Sequence, residues 1–269
     1  MQIFRLNNGQ EFPAIGSGTN TFGKANRDYM GEITFDTTEI ASAIRAGYRH
    51  FDTAISYRNE EVVGIGLKDS GLDRSEFYIT TKIPGRPEYY ATEDAVKAGV
   101  AESLKNLGTD YIDLYLIHHP WEDLEEMLAM WRVLESYADQ GVLRSIGVSN
   151  FSEEQLEYFR EHARIQPAVN QIESHPGHWN HELVNYCIEH NILPVAWGPL
   201  RQTTDVARFT LNEIGKRHNK SGAQVSLRYQ LDRGVAVIPK SHNAERQAEN
   251  LEIFDFKLTA EEHEQISKL

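Results

Sequence analysis

The chain of 269 residues carries 27 Lys+Arg against 40 Asp+Glu, a formal charge of −13, which argues against nucleic acid or an anionic membrane as its main partner. With 40% hydrophobic and 25% charged residues it has an ordinary globular composition, and no run approaches the roughly 20 apolar residues that span a bilayer. Residues 1–10 lack the basic-then-apolar layout of a secretory leader, and Cys187 has no second cysteine to pair with, so a reducing cytoplasm is the expected home.

Residues 3–15 read as a β-hairpin turning at Asn8-Gly9. Eight β-rich runs then follow, at 16–19, 49–53, 77–83, 111–118, 144–149, 168–173, 193–197 and 235–239. Between them lie amphipathic stretches such as 37–46, 92–107, 124–137, 152–161, 182–190 and 222–231, several opened by a Ser, Thr, Asp or Asn cap. No early strand runs into the glycine-rich fingerprint of an open dinucleotide-binding sheet. The alternation therefore predicts an α/β fold of the (β/α)8 TIM-barrel type, with an N-terminal hairpin and extra helices, spanning 1–269 as a single domain.

Barrel chemistry sits where strands end and βα loops begin. The polar residues there are Asp52, Lys82, His118, Ser149 with Asn150, Gln171 with Glu173, Trp197, and Lys240 with Ser241. Taken singly, Asp52 reads as a turn or cap residue, Tyr57 as packing, Lys82 as a solvated strand end and His118 as a backbone partner. Taken together, Asp52 and Lys82 close neighbouring strands, His118 closes the next, and Tyr57 lies in the loop after the first. A lysine beside a tyrosine favours tyrosinate and is expected to lower the phenol's pKa, while an aspartate fixes the ammonium.

These residues resemble the aldo-keto reductase family almost end to end. The matching motifs are Asp52-Thr-Ala-Ile-Ser-Tyr57-Arg-Asn-Glu60, Thr81-Lys82, Asp113-Leu-Tyr-Leu-Ile-His118-His-Pro120, Ile146-Gly-Val-Ser-Asn-Phe151, Asn170-Gln-Ile-Glu173, Ile238-Pro-Lys-Ser241 and Glu245-Arg-Gln-Ala-Glu-Asn250. The resemblance implies Tyr57 as general acid, Lys82 and Asp52 as its pKa-setting partners, and His118 as the group that orients a substrate carbonyl. It implies reversible reduction of a small carbonyl compound to an alcohol.

Barrels often hold phosphate with the loops after the last two strands and a short helix. Lys240-Ser-His-Asn-Ala-Glu-Arg246 supplies two cations, a hydroxyl and a capped helix start. By resemblance, Lys240, Ser241 and Arg246 bind an adenosine 2′-phosphate and Glu249 and Asn250 lie near the adenine, which makes NADPH/NADP+ the expected cofactor. Ser149, Asn150 and Gln171 are assigned to the nicotinamide carboxamide, and Trp197 to stacking on its ring. Gly18, Thr19, Gly198, Leu200 and His242 complete the expected cofactor groove.

Two positions depart from the family's habit. Asn20 and His119 stand where aromatic residues are common, making the expected substrate wall more polar and favouring small aldehydes, ketones or keto-sugars. A Schiff-base role for Lys82 in an aldolase-like barrel would leave the 240–250 cluster without a purpose. The other reading is a catalytically weak, NADPH-binding regulatory or partner-binding barrel. His175, His178 and His181 match no established metal spacing, so no metal is expected. A monomer is the family-based expectation, and Cys187, in an apolar helical stretch, is expected to be buried and inert.

Overall fold

A computed structural model describes residues 2–201 and 204–269; Met1, Gln202 and Thr203 lie outside the described residues. β1 (Ile3–Arg5) and β2 (Glu11–Pro13) form the expected antiparallel hairpin, with Phe4 opposite Phe12. Its turn is closed by Gly9 N–H donating to Leu6 O at 2.9 Å, and Gly9 takes a φ of 84° that glycine adopts without strain.

Eight parallel strands follow in chain order: β3 (Ser17–Gly18), β4 (His50–Asp52), β5 (Tyr78–Ile83), β6 (Leu114–Ile117), β7 (Ile146–Ser149), β8 (Val169–Glu173), β9 (Leu193–Trp197) and β10 (Ala236–Val237). Each pairs with its sequence neighbour, from β3 through to β10. The two ends of the sheet also meet. Gly16 N–H donates to Val237 O at 2.9 Å, Val237 N–H to Ala14 O at 3.0 Å, and Gly18 N–H to Pro239 O at 3.1 Å, which closes the sheet on itself. A Cβ at Gly16 would stand 2.3 Å from His50 Nδ1, so the seam requires glycine there.

Inside the barrel, Leu114, Leu116, Val169, Val195 and Ala236 pack with Leu6 and Phe12. The hairpin thereby plugs the end of the barrel at which the strands begin, and the opposite rim is left for chemistry. Phe12 meets the rings of His50 and Tyr78 edge-on at 4.9 and 5.1 Å.

The outer layer is helical: α1 (Thr38–Ala46), α2 (Glu60–Asp69), α3 (Pro87–Tyr90), α4 (Glu93–Leu107), α5 (Leu124–Asp139), α6 (Glu153–His162), α7 (His181–Glu189), α8 (Asp205–His218), α9 (Gly222–Asp232), α10 (Ala244–Leu251) and α11 (Ala260–Ser267). Their apolar faces and the outer faces of the strands form one core that includes Phe51, Ile79, Tyr115, Trp131 and Phe159. Starts are fixed chemically, as at α6 and α9, where Ser152 with Gln155 and Ser221 with Gln224 form reciprocal capping boxes. Among the described residues, no helix is long and apolar enough to cross a membrane.

Candidate active site

The strand ends converge as the βα pattern requires. Lys82, at the end of β5, is fully buried and spends its three N–H donors locally: on Asp52 Oδ1 at 2.6 Å, Thr53 O at 2.9 Å and Tyr57 Oη at 3.5 Å. Asp52, at the end of β4, also accepts from Gln171 Nε2 at 2.7 Å. Both of its oxygens are thus held. Such a buried ion pair persists only when its remaining valences are satisfied, as here.

Tyr57 is half-buried in a short 3-10 turn (Ile55–Tyr57), 5.5 Å edge-on from the His118 ring. Burial pushes the Tyr57 phenol well above its ordinary pKa, and the Asp52 carboxylate and Tyr29 push it further. This reverses the sign expected from the sequence. Burial is the main cause, and geometry lets it act: Lys82 bonds a carboxylate at 2.6 Å and the phenol only at 3.5 Å, so Tyr57 faces a largely neutralised pair. Lys82 itself is lowered by burial, against the pull of Asp52. Tyr57 is consequently a fully protonated phenol at neutral pH, the form a proton donor needs.

His118 follows β6 and is buried, its imidazole pushed down to about 2 by desolvation and then by Lys82. It is a neutral ring, stacked on His119 at 4.3 Å, and its Nδ1 has no hydrogen-bond partner among the described residues. Asn20 Oδ1 is buried and unpartnered in the same way.

A cavity of about 560 Å³ opens on this group. Its wall includes Asp52, Tyr57, His118, His119, Asn20, Gly18 and Thr19, then Ser149, Asn150, Gln171 and Trp197, then Gly198, Leu200 and Lys240. Every strand-end residue singled out from the sequence except Lys82, Glu173 and Ser241 therefore lines one space. Lys82 lies directly behind Asp52 and Tyr57.

The carboxamide candidates bond one another. Ser149 Oγ–H donates to Gln171 O at 2.9 Å, Asn150 Nδ2 donates to Ser149 Oγ at 3.0 Å, and Trp197 Nε1–H donates to Asn150 Oδ1 at 2.8 Å. Asn150 sits at φ 60°, a left-handed conformation that asparagine tolerates better than most residues. The indole is half-buried in the wall, with Arg201 beside it at 5.7 Å from the ring centre. Arg201 lines the same cavity and was not singled out by sequence reasoning; a lone cation in the loop after a strand carries no pattern.

At the far end, α10 begins at the Asn243 cap, whose side chain accepts from Arg246 N–H at 2.9 Å. Lys240 and Arg246 are exposed, Ser241 and His242 half-buried. Ser241 Oγ bonds the Asn243 backbone, and His242 bonds Thr21 and Glu39. Glu249 is half-buried, whereas Asn250 is buried next to the Tyr48 phenol rather than open to the groove. Flat indole, polar strand ends, a cationic terminus and two unpartnered buried polar atoms together fit a phosphorylated dinucleotide. His175 Nδ1 meets Pro176 O at 2.8 Å and His181 Nε2 meets Ser267 O at 3.1 Å. No group of three His, Cys, Asp or Glu among the described residues is placed to hold a metal ion.

With this geometry in place, comparison with known proteins is direct. The profile of the aldo/keto reductase family matches residues 14–269. Glyoxal reductase of Bacillus subtilis (strain 168) is 42% identical over 265 residues, covering 98% of this chain and 91% of the relative. Morphine 6-dehydrogenase of Pseudomonas putida is 37% identical over 280 residues, covering 99% and 90%. A crystal structure of an aldo/keto reductase from Brucella melitensis superposes with a TM-score of 0.90 at 36% identity, covering 99% and 98%. A Bombyx mori aldo-keto reductase in complex with NADP superposes with a TM-score of 0.87 at 34% identity, covering 99% and 92%. The chain belongs to the aldo/keto reductase family.

Proposed function

We propose that the chain, acting as one barrel domain over 1–269, is an NADPH-dependent reductase of small aldehydes, ketones or keto-sugars, with Tyr57 as proton donor. The observation that carries this reading is the Asp52–Lys82–Tyr57 chain of contacts, buried beside neutral His118 at the floor of one cavity. The fit of the far end to a phosphorylated dinucleotide supports the cofactor, as do relatives named as reductases and a structural neighbour in complex with NADP.

When bound, the reduced nicotinamide supplies the hydride. The protein's own residues do the rest. Neutral His118 orients the carbonyl oxygen, and Tyr57 gives its phenolic proton to the oxygen as negative charge develops there. The phenolate left behind faces Lys82 at 3.5 Å, which stabilises it at that moment, and Asp52 keeps the ammonium charged and aimed. Oxidation of the alcohol uses the same groups in reverse.

Lys240, Ser241 and Arg246 would hold a 2′-phosphate, with Gly18, Thr19, Gly198, Leu200 and His242 along the groove and Glu249 near the adenine, while Asn250, buried against Tyr48, would act only by fixing α10. Ser149, Asn150 and Gln171 would meet the carboxamide and Trp197 the ring. Asn20 and His119 make a polar substrate wall. The acidic chain and single buried Cys187 support a small-molecule partner and a reducing compartment, and we infer a monomer.

The test is loss of NADPH absorbance with a panel of small carbonyl compounds, run in parallel with NADH, for the native chain and Tyr57→Phe. Turnover by the native chain, lost in the variant while NADP+ binding persists, supports the reading. Tight NADPH binding without carbonyl-dependent oxidation would replace it with a cofactor-sensing barrel.

A further inference from the structure

The segment between β3 and α1 meets the loop before α10 at the cationic end of the cavity. Thr21 Oγ1 bonds His242 Nε2 at 2.9 Å, and the Phe22 ring meets the His242 ring edge-on at 5.5 Å. The chain then makes a tight turn over Ala25–Asp28, closed by Asp28 N–H to Ala25 O at 3.1 Å, with Asn26 and Arg27 both at φ 56°. Asparagine suits the first of those positions, but the second favours glycine, and here it carries arginine.

That arginine faces a charge cluster. Arg27 Nε stands 3.8 Å from Glu39 Oε1, and the same carboxylate oxygen bonds His242 Nδ1. Glu39 is largely buried while the Arg27 side chain is 65% exposed. Gln247 ties the group together, with Nε2 donating to Glu39 O at 3.1 Å and to Ser241 O at 3.0 Å. Lys240 feels both Glu39 and Arg27, in opposite directions, behind a larger effect of burial. One carboxylate thus serves Arg27, His242 and Lys240, with Arg246 at the next helix turn. Three cations, Arg27, Lys240 and Arg246, thus stand around one carboxylate, although Asp36 also lies beside Arg27 and Glu39.

We propose that Arg27 is an additional phosphate-binding residue of the cofactor site, contributed by the β3–α1 segment, and that Glu39 opposes the phosphate by competing for the same cations. The ligand class is a dinucleotide bearing a phosphate monoester on its adenosine ribose. This rests on the cofactor reading above and adds to it a determinant from a second segment of the chain. The guanidinium reaches out from a strained turn, and among the described residues its only ion pair is a single long one. Glu39 sets the strength of the site by how much positive charge it cancels.

The test is equilibrium titration of the full chain with NADP+ and NAD+, read by quenching of intrinsic tryptophan fluorescence, at low and moderate salt. Arg27→Ala should raise the Kd for NADP+ roughly fivefold, as expected for one partly exposed ionic contact, and change that for NAD+ by less than about twofold. It should also flatten the dependence of the NADP+ Kd on salt. Glu39→Gln should tighten NADP+ selectively. The inference is overturned if Arg27→Ala leaves NADP+ binding unchanged or weakens both nucleotides equally. If the unaltered chain binds neither nucleotide, the cofactor reading fails first and this inference with it, a result distinct from tight binding indifferent to Arg27.

Discussion

Gln171 Nε2 donates to Asp52 Oδ2 at 2.7 Å, across 119 residues of sequence, while Lys82 holds the other oxygen at 2.6 Å. The residue assigned from sequence to a nicotinamide carboxamide therefore also orients the carboxylate that fixes Lys82. A cofactor-side and a catalysis-side function meet in one amide. Gln171→Leu should lower kcat as well as weaken NADP+ binding, because Asp52 Oδ2 would be left buried without a donor. Steady-state kinetics and nucleotide titration on the same variant measure both; an effect on binding alone would dissociate the two roles.

Tyr57→Phe removes the phenol proposed as proton donor and nothing else of size. We expect kcat to fall by about 100-fold or more, with NADP+ binding within about twofold of native. Single-turnover measurements with NADPH and a small aldehyde check it. A variant of unchanged kcat would require another proton source.

Lys82→Met leaves the Asp52 carboxylate buried with only one partner. The expected loss of stability is about 3–5 kcal/mol, and Asp52→Asn in the same chain should recover part of it. Denaturant unfolding of the two single variants and the double variant gives the coupling. Additive losses would mean that the pair contributes no mutual stabilisation.

His50 and His118 are held neutral by burial, with pKa values pushed down to about 3 and about 2. The unfolded chain takes up those protons near the ordinary value of 6.5 and the folded chain does not. Stability contributed by the neutral imidazoles is therefore complete above that value. It falls as pH drops below it, by about 1.4 kcal/mol per pH unit for each ring. Urea midpoints at about pH 7, 6 and 5 should decline in step, and His50→Gln should make the decline shallower. For the same reason His118 should place no limb near neutrality in the pH profile of kcat.

Trp197→Phe should keep a flat face in the cavity but lose the hydrogen bond to Asn150 Oδ1. We expect most of the fluorescence quenching by NADP+ to disappear and the Kd, followed by calorimetry, to rise a fewfold, since one buried hydrogen bond is worth about 1 kcal/mol. Quenching that survives intact would place the nucleotide elsewhere.

The barrel and the rim were legible because strand ends in βα repeats carry isolated polar residues after apolar runs. His118 and Ser149 follow that rule, whereas Asp52, Lys82 and Gln171 come after runs broken by His50, Thr80-Thr81 and Asn170 and stand out through the motifs around them. Other elements leave no such trace. α8 turns Val206 and Phe209 to solvent, 73% and 68% exposed, so its apolar residues do not form one stripe. α2 carries two glycines among its buried valines, which weakens its helical pattern. The turn at Asn26-Arg27 lacks the glycine that usually marks such a reversal. The sign of the Tyr57 shift depends first on burial of the phenol and then on its distance from the Asp52–Lys82 pair, and spacing along the chain encodes neither.

The seam at Gly16, Gly18, Val237 and Pro239 has a consequence for biosynthesis. On the ribosome, everything from the hairpin to His118 emerges while the strand that must join Gly16 is still untranslated. Asp52, Tyr57, Lys82 and His118 can be present in a nascent chain whose sheet is an open ribbon with β3 at one edge, so the wall that carries Lys240 completes only at the end of translation. A premature stop before Val237 would leave that edge permanently bare, and such a fragment should be recognised by chaperones and proteases rather than accumulate as a weakened enzyme.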